Sequence, residues 1–113
     1  MDKYRNVIGQ TVDVVIDRPL GTYHPRMDTI FYTVNYGYVP NVIAGDGSPQ
    51  DVYILGVDKP LETFRGTVIA VIHRLNDAED KWVAAPEGIA FTKEEIIAET
   101  RFVEQFFQIE VYC

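Results

Sequence analysis

The fold of this chain is decided by the stretch from Tyr32 to Asp51, which reads YTVNYGYVPNVIAGDGSPQD. Its first half is rich in β-branched and aromatic residues, which favour β-strands. Pro40 ends that pattern, and the glycines and proline that follow indicate a tight turn. Two aspartates, Asp46 and Asp51, bracket this turn, so the chain can fold back and present both carboxylates to one small volume. The stretch therefore predicts a strand that stops at Pro40 and a turn carrying two acidic side chains.

Strand signals continue on both sides of this stretch. From Gln10 to Asp17 apolar and polar residues alternate, as they do in a half-buried strand. Gly37, inside the aromatic strand, indicates a bulge or a close approach of two backbones. The predicted strands cover residues 10–17, 29–39, 51–57, 67–75 and 81–85. The sequence thus predicts a mainly β protein.

The periodicity changes after Pro86 and Gly88. Thr92 and Glu95 form a capping-box pattern, and apolar side chains then recur at helical spacing, which predicts a helix through Gln108. Five short strands and one helix suit a small, partly open barrel of the OB type better than a sandwich, which usually has about seven strands. We expect a barrel closed by one C-terminal amphipathic helix.

Composition excludes several classes of function. The 113 residues, 47% of them hydrophobic, predict a single globular domain over residues 1–113. A formal net charge of −7 disfavours binding to nucleic acid or to an anionic membrane. No apolar run reaches the about 18 to 20 residues of a membrane span, and the N-terminus lacks a secretory core, so we expect a cytoplasmic protein. Cys113 is the only cysteine, so ligands must supply oxygen or nitrogen.

Acidic residues recur at a second place in the chain. Asp77, Glu79 and Asp80 follow the fourth predicted strand and precede Lys81. Hard cations such as Mg²⁺, and also Mn²⁺, prefer oxygen ligands, and two acidic loops at one end of a barrel would provide them. Paired metals would activate a water molecule and screen a phosphoryl group. An acidic protein can hold a polyanion in this way, because cations lie between the two.

Each of these features also has a purely structural interpretation. Asp46-Gly47 is a common turn dipeptide, acidic loop residues are usually solvated surface, and the tyrosines can simply pack across a strand. A functional interpretation is favoured by their order along the chain. An Asn-Tyr-Gly-Tyr strand, a double-Asp turn and an acidic turn ending in Lys81 rarely occur together by chance.

These motifs resemble those of the soluble inorganic pyrophosphatases of the OB-barrel family, which carry Tyr-Pro-x-Asn-Tyr-Gly-Tyr followed by Asp-Gly-Asp-Pro-x-Asp. The resemblance covers roughly residues 11 to 107 and is strongest over residues 32–52 and 77–86. It implies a five-stranded OB-like barrel with a C-terminal α-helix. It also implies Mg²⁺-dependent hydrolysis of pyrophosphate or a related small phosphoanhydride by a homo-oligomer.

The resemblance further implies roles for individual residues. The implied metal ligands are Asp46, Asp51, Asp77, Glu79 and Asp80, with the choice between Glu79 and Asp80 as principal ligand left open. The implied catalytic residues are Tyr36, Asp51 and Lys81, of which Tyr36 and Lys81 also bind phosphate. Nearness to these loops, and not the resemblance, leads us to expect that Arg18 and His24 bind substrate as well, with Arg26, His73 and Arg74 as further candidates for replacing the family's missing cations.

Several departures from the family pattern bear on activity. The family's early lysine and glutamate fall at Asp13 and Val15, and its arginine before the tyrosine strand falls near His24. Ser48 stands where the family has the middle aspartate of its turn, the carboxylate usually assigned to the attacking water. Phe106-Phe107 stands in the region of the family's terminal Tyr-Lys pair. We therefore expect reduced turnover. The alternative is a catalytically inactive barrel that acts as a phosphate-ligand sensor or a protein-interaction subunit, and binding of single-stranded nucleic acid is least favoured.

Overall fold

The computed structural model describes residues 4–76 and 79–113. The strands in these ranges are β1 (Thr11–Arg18), β2 (Asn35–Ile43), β3 (Pro49–Ile54), β4 (Thr63–Arg74), β5 (Asp80–Ala85) and β6 (Ile109–Tyr112), and the helix α1 (Lys93–Glu104) lies between β5 and β6. Within the same ranges, no helix has the length and apolar character needed to cross a bilayer.

The strands form a closed five-stranded barrel in the order β1-β2-β3-β5-β4, with β4 pairing back onto β1. The pairs are antiparallel except for β3 and β5, which run parallel. The long strand β4 makes closure possible, because its first residues pair with β1 and its later residues pair with β5 and β6. The expected five-stranded OB-like barrel with a C-terminal helix is confirmed.

Two apolar clusters are buried, and they follow the alternation of the strands. Val12, Val14 and Ile16 of β1 belong to one cluster, as their period of two predicts. Tyr53 of β3 and Ile96 of α1 belong to the other, which includes the aromatic residues before and within β2. The helix therefore covers the tyrosine-rich side of the sheet.

The aromatic strand differs from its predicted bounds. It begins at Asn35 rather than at residue 29, and it runs through Pro40 to Ile43 instead of stopping. The register between β2 and β3 shifts between Val39 and Ile43, and this irregularity accommodates the proline, which cannot donate a ladder hydrogen bond. The expected close approach at Gly37 is confirmed, since a Cβ there would lie 2.0 Å from the carbonyl oxygen of Val15.

The predicted helix is correct at its start and wrong at its end. Thr92 and Glu95 form the expected reciprocal capping box. The helix ends at Glu104, and residues 109–112 form β6, which pairs with the last residues of β4. Strand β6 forms hydrogen bonds with the last residues of β4, which β1 does not reach because it pairs only with the first residues of that strand. This long-range pairing outweighs the local helical spacing.

Candidate active site

Lys81 is the centre of a buried cluster of polar side chains on the barrel. Its Nζ donates hydrogen bonds to Asp51 Oδ2 at 2.6 Å, to Glu79 Oε1 at 2.7 Å and to the Tyr36 hydroxyl at 3.1 Å. The parallel register of β3 and β5 pairs Val52 with Trp82, and so brings the preceding residues Asp51 and Lys81 together. Two acidic segments far apart in sequence thus meet at one ammonium group.

The surroundings of Lys81 keep it charged. Burial opposes the ammonium form, but the Tyr36 oxygen and the hydrogen bonds to Asp51 and Glu79 outweigh burial and raise the pKa of Lys81. Burial also raises the pKa of Tyr36, so its phenol keeps its proton at neutral pH. The cluster therefore offers an ammonium group and a phenol as hydrogen-bond donors.

A second buried network joins the end of the helix to the barrel. Arg74 of β4 donates to both carboxylate oxygens of Glu104, from Nε at 3.0 Å and from NH2 at 2.6 Å. The Tyr53 hydroxyl donates to the same carboxylate at 2.6 Å. Arg74 also lies 3.5 Å from Glu79 Oε2, and its guanidinium carbon lies 3.7 Å from the centre of the Phe107 ring. Glu79 consequently connects this network to Lys81.

Arg18 differs from these two cations in its partners. Its NH1 donates to the Tyr32 hydroxyl at 2.7 Å, and its guanidinium carbon lies 5.7 Å from the centre of the Tyr32 ring and 5.4 Å from that of Tyr36. Within residues 4–76 and 79–113 it forms no ion pair with a carboxylate. Its guanidinium contacts aromatic rings and a phenol, and the charge of the nearby Asp17 also stabilises it without forming an ion pair.

These groups border a cavity of about 260 Å³, which we call the mouth cavity. Its polar wall consists of the cations Arg18, Arg74 and Lys81 and the tyrosines Tyr32, Tyr36 and Tyr53. In the part of the chain that the structure describes, no carboxylate side chain lines it. Positive charge and hydroxyl donors facing a cavity without carboxylates are suited to an anion such as phosphate.

His24 also lines the mouth cavity, as the substrate-binding prediction requires. Its Nδ1 accepts hydrogen bonds from the backbone N–H groups of Arg26 at 3.0 Å and Met27 at 3.2 Å. Burial and the neighbouring charges of Arg18 and Arg26 lower the pKa of His24, so the imidazole is neutral at pH 7. It can therefore contribute a hydrogen bond to a ligand but no positive charge.

The predicted metal ligands occupy three different surroundings. Asp51 and Glu79 meet at Lys81, whereas Asp46 is exposed and accepts a hydrogen bond from the backbone N–H of Ser48 at 3.0 Å. Asp80 bonds His73 Nδ1 at 2.7 Å and the Tyr4 hydroxyl at 2.9 Å. Among the described residues no three His, Cys, Asp or Glu side chains form a metal-binding group. Asp77 lies outside the described residues.

Sequence reasoning named Arg74 but missed its buried partners Tyr53 and Glu104. A signal for Glu104 was available in the helix. Ile96, Thr100 and Glu104 are spaced by four residues, and these three are the helix residues that become buried. A carboxylate continuing a buried stripe requires a cationic partner, and Arg74 provides it.

A closed five-stranded barrel with one C-terminal helix and a cation-lined cavity defines an OB-type barrel protein suited to binding anions. The profile of the inorganic pyrophosphatase family matches residues 10–107. The chain therefore belongs to the inorganic pyrophosphatase family, as its motifs predict.

Two curated relatives illustrate this membership. The inorganic pyrophosphatase of Xylella fastidiosa (strain 9a5c) is 33% identical over 86 residues, covering 70% of this chain and 43% of the relative. That of Xanthomonas campestris pv. campestris is 34% identical over 80 residues, covering 65% of this chain and 40% of the relative. The chain thus spans less than half the length of these relatives.

Solved structures share the fold. The crystal structure of inorganic pyrophosphatase from Ehrlichia chaffeensis superimposes with a TM-score of 0.72 at 18% identity, over 93% of this chain and 86% of that one. The inorganic pyrophosphatase of Coxiella burnetii gives a TM-score of 0.64 at 20% identity, over 90% and 83% of the two chains. The barrel is therefore retained although few residues are identical.

Proposed function

We propose that this chain hydrolyses inorganic pyrophosphate to two phosphates. The observation that carries the proposal is the cluster in which Lys81 Nζ bonds Tyr36, Asp51 and Glu79 beside the mouth cavity. In this reaction the oxygen of water forms a bond to one phosphorus and the bond from that phosphorus to the bridging oxygen breaks. The second phosphate leaves with the bridging oxygen, and the protons of water pass to the products or to solvent.

The donor chemistry beside the cavity fits Mg²⁺ or Mn²⁺. Asp51 Oδ2 and Glu79 Oε1 lie within 2.7 Å of the same Lys81 nitrogen, so the two carboxylates are neighbours, and a metal ion would use their other oxygens or displace the ammonium. Mg²⁺ is commonly held by one or two carboxylates and several waters. We assign Asp51 and Glu79 as ligands, with Asp46, Asp77 and Asp80 as further candidates. A bound Mg²⁺ would lower the pKa of a coordinated water and neutralise charge on the phosphates.

The remaining groups act on the substrate directly. The Lys81 ammonium donates its three protons to Tyr36, Asp51 and Glu79, so it would bind a phosphate oxygen by exchanging one of these acceptors. The Tyr36 phenol has a proton to donate, and Arg18 adds a guanidinium that forms no carboxylate ion pair among the described residues. Ser48 has no carboxylate and cannot act as a general base. Since loss of a general base costs about 100-fold to 10,000-fold in rate, we expect turnover below that of a family member with aspartate there.

The test is a phosphate-release assay with pyrophosphate and Mg²⁺. We expect release from the native protein, none in excess EDTA, and a loss of about 100-fold in Asp51→Asn, which keeps the shape of the side chain but weakens its ligand oxygen. Asp13→Asn is the matched control, because Asp13 is an exposed strand carboxylate whose ion-pair partner is the exposed Arg65. Activity that survives EDTA, or equal activity in Asp51→Asn and Asp13→Asn, would refute the proposal. Cytoplasmic location and homo-oligomeric assembly remain predictions.

A further inference from the structure

The mouth cavity is also lined by apolar side chains, which we call its apolar wall. Met27 and Ile30 from the segment before β2, and Val103, Phe106 and Phe107 around the end of α1, form this wall. The cavity volume of about 260 Å³ approaches the roughly 300 to 1,000 Å³ typical of pockets for organic ligands. Phosphate and pyrophosphate have no apolar surface to place against such a wall.

Two side chains of this wall are open to solvent. Phe106 is 61% exposed and Met27 is 50% exposed. Covering an exposed aromatic or thioether side chain with an apolar group of a ligand is favourable, because it removes apolar surface from water. An organic group on the ligand would gain this contribution, and a bare anion would not.

Arg18 supplies an anion-binding group whose direct contacts are to tyrosines, while the Asp17 carboxylate raises its pKa without forming an ion pair. Its guanidinium lies on the rings of Tyr32 and Tyr36, and among the described residues no carboxylate pairs with it. Guanidinium groups bind phosphate through two parallel hydrogen bonds. Arg18 and the apolar wall line the same cavity, so one ligand can engage both.

We infer that the mouth cavity also binds an organic phosphate, and that the proposed hydrolysis extends from pyrophosphate to a diphosphate with an aromatic or aliphatic group at one end. The inference deepens the proposed function and rests on it for the reaction. Water supplies the oxygen that bonds the terminal phosphorus, the bond from that phosphorus to the bridging oxygen breaks, and its electron pair leaves with the organic phosphate. The water protons pass to the products or to solvent. Arg18 holds the phosphate and Phe106 covers the organic group.

The inference is tested by binding, without turnover. The full chain is titrated in EDTA with phenyl phosphate, which mimics the organic product, and separately with inorganic phosphate, and two-dimensional NMR follows both. We expect phenyl phosphate to bind at least about 10-fold more tightly, which is about 1.4 kcal/mol. Equal affinities, or no binding of phenyl phosphate, would overturn the inference.

Variants locate the preference. Phe106→Ala is expected to bring the two affinities within about 2-fold while leaving that for inorganic phosphate unchanged. Tyr23→Ala is the matched control, because Tyr23 is 60% exposed, against 61% for Phe106, and does not line the cavity. It should keep the preference. Arg18→Ala should lower the affinity for both phenyl phosphate and inorganic phosphate by about 10-fold. A preference that survives Phe106→Ala would overturn the inference. If the native protein prefers phenyl phosphate but does not hydrolyse pyrophosphate, the proposed function is refuted and the inference about binding stands.

Discussion

Arg74 and Glu104 form a two-point ion pair that fastens the last residue of α1 to the last residue of β4. The side chains are only 7% and 1% exposed. The charge of each is therefore compensated mainly by the other, by Tyr53 and by Glu79. Phe106 and Phe107, which follow the helix after Gln105, line the mouth cavity beside this pair.

Breaking the pair should destabilise the fold. Glu104→Ala leaves the buried guanidinium of Arg74 without its main partner, and we expect the free energy of unfolding in urea to fall by about 3 to 5 kcal/mol. Glu99→Ala removes an exposed carboxylate from the same helix and should change it by less than about 0.5 kcal/mol. Equal losses in the two variants would show that the ion pair contributes nothing.

Tyr53 should make stability dependent on alkaline pH. Burial first, and then Glu104, raise the pKa of Tyr53, so the folded chain keeps the phenol proton above pH 10 while the unfolded chain loses it. Stability from this group is therefore complete below about pH 10 and falls as pH rises further. Tyr53→Phe should cost about 1.5 to 3 kcal/mol at pH 7, and the deficit should shrink between pH 10 and pH 11. Urea unfolding of both proteins at pH 7, 10 and 11 measures this, and a constant deficit would contradict it.

Gly37 should not tolerate a side chain. An added Cβ would lie 2.0 Å from the carbonyl oxygen of Val15, so β1 and β2 would have to separate. We expect Gly37→Ala to lower the free energy of unfolding by about 3 kcal/mol, the upper end of the usual cost of overpacking, because the clash is with backbone. In Gly45→Ala the new Cβ has no atom within 4 Å, and the free energy of unfolding should change by no more than about 0.5 kcal/mol. Similar unfolding curves for the two variants would disprove the steric argument.

The capping box should contribute measurably to the helix. The Thr92 hydroxyl accepts a hydrogen bond from the backbone N–H of Glu95 at 3.1 Å. Thr92→Ala leaves that donor without its cap and should lower thermal stability by an amount equivalent to about 1 kcal/mol. Thr92→Ser keeps the hydroxyl and should unfold close to the native temperature. If serine were as harmful as alanine, the hydroxyl would not be the stabilising group.

Local sequence patterns predicted what depends on local geometry. The alternation of Val12, Val14 and Ile16 identified a buried strand face, and Thr92 with Glu95 identified the start of the helix. In each case the physical requirement, period-two burial or a reciprocal cap, lies within a few residues. The family motif extended this prediction to the barrel as a whole.

Features that depend on long-range pairing were not predictable in this way. Strand β6 exists because β4 offers backbone groups to it, and a four-residue segment carries too little periodicity to reveal this. The meeting of Lys81 with Asp51 depends on a parallel register between strands that are distant in sequence. Arg74 could be named as a cation, but only the fold shows that Glu104 and Tyr53 hold it.

Glu79 interacts with both Lys81 and Arg74, and so couples the two buried cations electrostatically. One of its oxygens accepts a hydrogen bond from Lys81 and the other lies 3.5 Å from Arg74. A change in the position of either cation therefore changes the interaction of Glu79 with the other. A ligand that draws Lys81 toward its own phosphate would leave more of the Glu79 charge to Arg74, so Glu79 would compete with Glu104 for the same guanidinium. A change at Lys81 would therefore alter the charge balance at the end of the helix through one shared carboxylate.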